Sequence, residues 1–162
     1  MQNILCSKSD EETALEVAKV HFMCKSGSVF FSSVSMNLEH VFSLEIPTAS
    51  TNGKRIMYNP EFFMSLSPEE RVGLIYHEAA HVAFMHMFRR GDRDMLLWNY
   101  AADYVINILG KDSGFKLPAG GLCNDMFREW SSDQVYEYLY DNAIQVPQGY
   151  ISDLEESLEG KS

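Results

Sequence analysis

From Ser67 to Gly91 the chain leaves almost no face for water. Val72, Leu74, Ile75, Ala79, Ala80, Val82, Ala83 and Phe84 fall all around a helical wheel. A helix of that kind lies inside a fold, with other elements wrapped around it. Its start is written locally. Ser67 can cap it, Pro68 stands at the first helical position and Glu70 follows three residues after the cap, the pattern of a capping box with proline at its favoured place. The helix is expected to run from Pro68 to about Phe88, with Arg89 and Arg90 at its negative end and Gly91 as its stop. At 162 residues the chain is one domain's worth, so this buried helix organises most of it.

Inside the same segment stand His77, Glu78 and His81, in the pattern HExxH. Buried imidazoles and a buried carboxylate need partners. Histidines four apart lie one helical turn above one another, so their rings can converge on one ion. Glu78 lies beside them, within reach of a water on that ion. Zinc so held lowers the pKa of its water towards ~7, and the carboxylate can take the proton. The plainer reading is a pair of satisfied core histidines with an exposed Glu78.

A catalytic zinc needs a third protein ligand and an open position. The next helix, expected over Asp94 to Leu109 with Gly110 as its stop, is apolar apart from Asn99, Asp103 and Asn107. These are spaced four apart and form one polar stripe. Packed antiparallel on the first helix, the stripe can face the histidines, with Asp103 as ligand and Asn99 and Asn107 as hydrogen-bonding support. Otherwise it is a thin solvent stripe. His86 is the rival ligand. It lies five residues after His81, about 140° away around a continuous helix, and no glycine or proline between Val82 and Arg89 would break the helix. His86 is therefore expected at the helix end, or supporting Asp103 or a carbonyl.

Other elements are read from periodicity and turn chemistry. Asp10 to Lys25 is an expected helix capped by Ser9, with Ser26-Gly27-Ser28 ending it. Asp133 to Asn142 is another, capped by Ser131 or Ser132. Val29 to Val34, His40 to Ile46 and Lys54 to Tyr58 read as strands, with the turn-rich stretch Pro47 to Gly53 between the last two and Asn59-Pro60 as a close. Tyr58, Tyr100 and Tyr104 could in principle donate to a developing oxyanion, but core packing describes each better.

Composition excludes several classes. Lys and Arg number 13 against 23 Asp and Glu, a net charge of −10, so a basic footprint for nucleic acid is absent. Arg89, Arg90 and Arg93 form a small cluster, most simply a helix end. No apolar run is long enough for a bilayer, and the first ten residues lack the pattern of a secretory signal. Cys6, Cys24 and Cys123 are odd in number and without CxxC spacing, which fits reduced thiols, each a small buried apolar residue, in a cytoplasmic protein. From Asp133 to Ser162 there are seven acids and one base. The last dozen residues offer only Ile151, Leu154 and Leu158 for burial. The expected division is a domain over 1–145 and an acidic tail over 146–162, solvated or weakly helical, with a protein partner as an alternative use.

Three runs together resemble a known family. They are Pro47 to Pro60, His77 to His86, and Trp98 to Asn107; Leu117-Pro118 and the Ser132 helix also fit. The chain is similar over most of its length to the "Putative metallopeptidase domain" of bacteria and bacteriophages. In longer members that domain precedes a von Willebrand factor A-like domain, which is not expected within these 162 residues. The resemblance implies a zincin-like α+β fold, its active-site helix packed on a small mixed or antiparallel sheet with a second, ligand-bearing helix. It implies Zn²⁺ on His77 and His81 with Asp103 as third ligand, Glu78 as catalytic base and a peptide or protein substrate. It also suggests that Lys54 to Tyr58 rims the cleft and binds extended peptide at its free edge. No nucleic acid or membrane partner is expected. A non-catalytic zinc-binding interaction module and a metal-dependent hydrolase of a non-peptide amide or ester remain open on sequence alone.

Overall fold

The computed structural model describes residues 8–25, 27–118 and 120–155; Cys6 and Leu158 lie outside them. The fold is α+β. Helices α1 (Asp10–Cys24) and α2 (Val29–Met36) come first, then strands β1 (Glu39–Phe42), β2 (Ala49–Thr51) and β3 (Arg55–Tyr58). Helices α3 (Pro60–Ser65), α4 (Pro68–Ala83), α5 (His86–Arg89), α6 (Met95–Asp112) and α7 (Ser132–Asp141) follow, with a 3₁₀ turn at Asp125–Phe127. Among the described residues no helix is long and apolar enough to cross a membrane.

The caps read from sequence are made. Ser9 with Glu12, Ser67 with Glu70 and Ser131 with Gln134 each form a reciprocal capping box. Asn59, expected only to close a strand, also opens α3 by accepting from the Phe62 N–H.

Several expectations need correction. Val29 to Val34 is helical, not extended. Burial explains why: Ser28, Ser32 and Ser35 are buried while Val29 and Phe30 are 72% and 62% exposed. The inward face follows a helical period and is made of small residues: the Ser28 hydroxyl donates to the Phe22 carbonyl of α1, and the Ser35 hydroxyl lies 3.4 Å from His40 Nε2 on β1. Of the apolar residues that suggested a strand, Val29 and Phe30 point outward, Val34 is half-buried, and Phe31 stands edge-on to Tyr76 at 5.2 Å between centroids. Second, the Pro47 to Gly53 stretch contains β2, and the sheet order is β1-β3-β2. β3 is parallel to β1 and antiparallel to β2, so the Lys54 to Tyr58 run has no free edge; β2 is the rim strand. Third, Gly110 lies inside α6, which runs on to Asp112. A Cβ there would come within 2.5 Å of the Tyr76 ring, so this glycine permits close approach of α6 to α4 rather than ending a helix. Fourth, Cys24 and Cys123 are exposed, not buried.

Two apolar clusters hold the layers. One joins α1, the sheet, α3 and α4 through Phe22, Ile56, Tyr58, Phe63, Ile75 and Tyr76. The other joins α6, α7 and the 3₁₀ turn through Trp98, Ile108, Phe127, Val135 and Leu139. The expected basic cluster is a paired helix end: Arg89 and Arg93 both engage Asp133.

His40, on β1, ties the sheet to α2. Its Nε2–H donates to the Ser35 carbonyl at 2.9 Å, which leaves Nδ1 to accept from the Tyr58 hydroxyl at 2.9 Å. Burial holds its pKa down, from 6.5 to about 4. The unfolded chain therefore binds a proton between pH 6.5 and 4 that the folded chain refuses. Stability from neutral His40 is present above pH 6.5 and is lost as pH falls towards 4. The urea midpoint should drop between pH 7 and pH 5, and drop less in His40→Gln; equal drops would show that other groups set the acid limit.

Candidate metal centre

The buried α4 carries His77, Glu78 and His81 on one turn, and α6 runs antiparallel beside it. The side-chain pairs fix that direction. His77 meets Asn107, His81 meets Asp103, and Trp98 donates its indole N–H to the His86 carbonyl. Asn99, Asp103 and Asn107 are all buried, at 0%, 7% and 4% exposure. The stripe therefore faces the histidines rather than water.

Hydrogen bonds orient both rings. The Asn107 amide donates to the Leu122 carbonyl at 2.9 Å, which turns its Oδ1 towards His77 Nδ1 at 2.8 Å. His77 therefore donates from Nδ1, which leaves Nε2 as the atom turned towards the place where an ion could sit. His81 is set from behind by His86. The two Nδ1 atoms are 3.1 Å apart, and His86 Nε2 lies 2.7 Å from the Ser132 hydroxyl. Burial, then His81 and Arg89, push the His86 pKa down to about 2. A neutral His86 can accept from His81 Nδ1–H while donating to Ser132, and His81 then presents Nε2 to the same place as His77. Such support behind a metal-facing ring fixes its tautomer and aim.

His86 is thus behind His81 and not beside the converging atoms. The helix does break before it, contrary to expectation. α4 ends at Ala83, and Met85 takes a left-handed φ of 55°. The break sends His86 back under His81 instead of into the cluster.

The two Nε2 atoms are 3.2 Å apart. Asp103 Oδ1 stands 3.2 Å from the first and 3.1 Å from the second. Two zinc ligands at about 2.0–2.1 Å in a tetrahedral arrangement are separated by about 3.3 Å, close to these spacings. Sequence reasoning missed a fourth member. Asp153 Oδ2 lies 2.6 Å from His77 Nε2 and 3.1 Å from His81 Nε2. One atom each from His77, His81, Asp103 and Asp153 can be chosen so that all lie within 4.8 Å of one another, a set of nitrogen and oxygen donors that could hold a metal ion. Tyr150 was missed too; its hydroxyl donates to Asp103 Oδ2 at 2.5 Å. None of Tyr58, Tyr100 and Tyr104 makes a hydrogen bond to these donors. Tyr58 is engaged by His40, and Tyr104 donates to Tyr100.

Both missed residues lie in what sequence reasoning took for a solvated tail. Tyr150 and Ser152 to Glu155 of that tail pack back instead, with Leu154 only 9% exposed, while residues 147–149 and Ile151 stay exposed. The one local signal was the Tyr150-Ile151-Ser152-Asp153-Leu154 run, less acidic than its surroundings.

Electrostatics match a place that awaits positive charge. Burial opposes a charged His77 or His81, but Asp153 and Asp103 overcome it, holding His77 well above the ordinary histidine range and His81 at about 9. Glu78 is 1% exposed and its Oε2 has no hydrogen-bond partner. Burial, then Asp153, raises its pKa well above the usual carboxyl range. An orphaned carboxyl oxygen next to two imidazoles is a costly arrangement. It becomes reasonable where a cation and water belong. A cavity of about 440 Å³ opens here, lined by His77, Glu78 and Asp103 on one side and by Phe62, Leu74 and Leu117 on another.

Comparison with curated proteins and with solved structures found no match. The family comparison did, and its span takes in α4, α6 and the Asp153 segment together, over residues 10–159. The chain carrying this His/Asp cluster belongs to the family described as "Putative metallopeptidase domain".

Proposed function

We propose that the chain is a zinc-dependent peptidase, with His77, His81 and Asp103 as ligands and Glu78 as general base. The observation that carries the reading is the convergence of His77 Nε2, His81 Nε2 and Asp103 Oδ1 beside a buried, unpartnered Glu78 Oε2. Family membership supports the peptidase over the interaction module and the non-peptide hydrolase.

Zinc bound there would act as a Lewis acid on the scissile carbonyl and make its water acidic near neutrality. The chain's own residues do the rest. Asn107 and His86 keep the two imidazoles aimed. Glu78 takes a proton from the attacking water and later gives one to the leaving amine. A cation held beside it would favour the carboxylate that the first task needs, and its burial suits the second, because a desolvated carboxyl holds a proton long enough to deliver it. The apolar side of the cavity can receive a substrate side chain, and β2 is the rim against which an extended peptide can pair.

The reading is tested by hydrolysis of a peptide library, lost on chelation and restored by zinc. The ligand set is tested by zinc affinity in Asp103→Ala and His86→Ala. His86 acts through His81, and losing such a partner costs a metal site roughly 10–100-fold. Asp103→Ala should cost more. If His86→Ala empties the site while Asp103→Ala leaves it filled, the third ligand has been misassigned.

A further inference from the structure

The stretch from Tyr150 to Glu155 lies across the candidate centre and is gripped along its length. The Thr51 N–H donates to the Asp153 carbonyl at 2.9 Å, and the Glu155 N–H donates to the Thr51 carbonyl at 3.0 Å. Leu154 thereby pairs with Thr51 as a parallel bridge on the outer edge of β2. The Ser50 hydroxyl donates to Glu155 Oε1 at 3.0 Å. From the other side Asn99 holds the same residues. Its Oδ1 accepts from the Asp153 N–H at 2.9 Å and from the Ser152 hydroxyl, while its Nδ2 donates to Asp153 Oδ1 at 2.6 Å. These bonds leave Asp153 Oδ2 aimed between the two histidines, and Tyr150 occupies the second oxygen of Asp103.

Each contact takes something a substrate would need. β2 is an outer strand of the sheet, and the segment pairs with its outer edge. The place next to His77, His81 and Asp103 that a reacting water would use is filled by a carboxylate. The segment also walls the cavity through Tyr150, Ile151 and Asp153.

We propose that Tyr150–Glu155 is an inhibitory strap, with Asp153 closing the centre as a fourth ligand in a latent form of the enzyme. The proposal rests on the peptidase reading for its consequence, but the closure itself is a statement about the metal. A site with four protein ligands is closed, whereas a working one keeps a position open. Release of the strap frees that position, the β2 edge and one wall of the cavity in a single movement. Asn99 is then a positioning residue for the strap, not for the reaction.

The experiment uses the full chain as wild type, Asp153→Ala and Asp153→Asn. Three quantities are read: zinc affinity by competition with a chelator, susceptibility of the zinc-loaded protein to chymotrypsin at Tyr150, and peptide hydrolysis at saturating zinc. Removing the fourth ligand should weaken zinc by at least the roughly 10–100-fold that loss of an outer partner costs. It should also expose Tyr150 to cleavage and raise hydrolysis at least about tenfold. The asparagine keeps an acceptor for the Asn99 amide and guards against a folding defect in the alanine variant. Unchanged affinity and unchanged cleavage in both variants would overturn the strap. So would a fall in hydrolysis at saturating zinc, since Asp153 would then belong to the working site. If affinity and cleavage change as expected but no form hydrolyses peptide, the closure stands and the peptidase reading falls.

Discussion

Glu78→Gln is expected to keep the metal and to lower peptide hydrolysis by about 10²–10⁴-fold, the range a positioned general base contributes. The substitution is nearly isosteric, so it isolates proton transfer from packing. Glu78 is fully inside the protein, and its Oε2 has no hydrogen-bond partner to lose. Burial already disfavours its ionised form, so the amide should leave thermal stability unchanged or slightly raised. A residue kept only for structure would give the opposite pattern: a stability loss with activity following in proportion. Zinc content and kcat/KM measured on the same preparations separate the two. Full activity in Glu78→Gln would remove the residue from the reaction.

What could be read in the sequence was what short-range rules encode. The α4 cap, the HExxH turn and the polar stripe of α6 each lie within a few helical turns, where spacing alone fixes the face. Antiparallel packing then brings Asp103 to the histidines without further information. The errors have long-range causes. Asp153 reaches His77 across 76 residues, through backbone bonds to a strand of three residues that itself looked like a turn. Short strands of this kind are stabilised by their neighbours, not by their own composition. In α2 Ser28, Ser32 and Ser35, not the phenylalanine at position 30, are buried, and an apolar run alone does not show which of its members turn outward. The break at Met85 has no glycine or proline to announce it. A long-range contact accompanies it: the Trp98 indole N–H donates to the His86 carbonyl.

Zinc should raise the melting temperature of the wild-type chain strongly and leave His81→Ala almost unmoved. An ion that binds only the folded state stabilises it by about 4 kcal/mol when its free concentration is a thousand times Kd. For a domain of this size each kcal/mol is worth about 2–4 °C, so a rise of roughly 8–16 °C is expected. His81 is the right residue to remove. It is fully buried, and its Nε2 touches His77, Asp103 and Asp153 at 3.1–3.2 Å, so no other side chain can take over its position. The metal-free variant should also be weaker than the metal-free wild type, because Asp103 and Asp153 lose one of the cations that offset their burial. Two melts per protein, with chelator and with zinc, separate these effects: the first comparison reads the lost ion pairs and the second reads the ion. A full zinc-dependent rise in His81→Ala would mean that the metal binds elsewhere on the molecule, and the geometry of α4 and α6 would then need a different explanation.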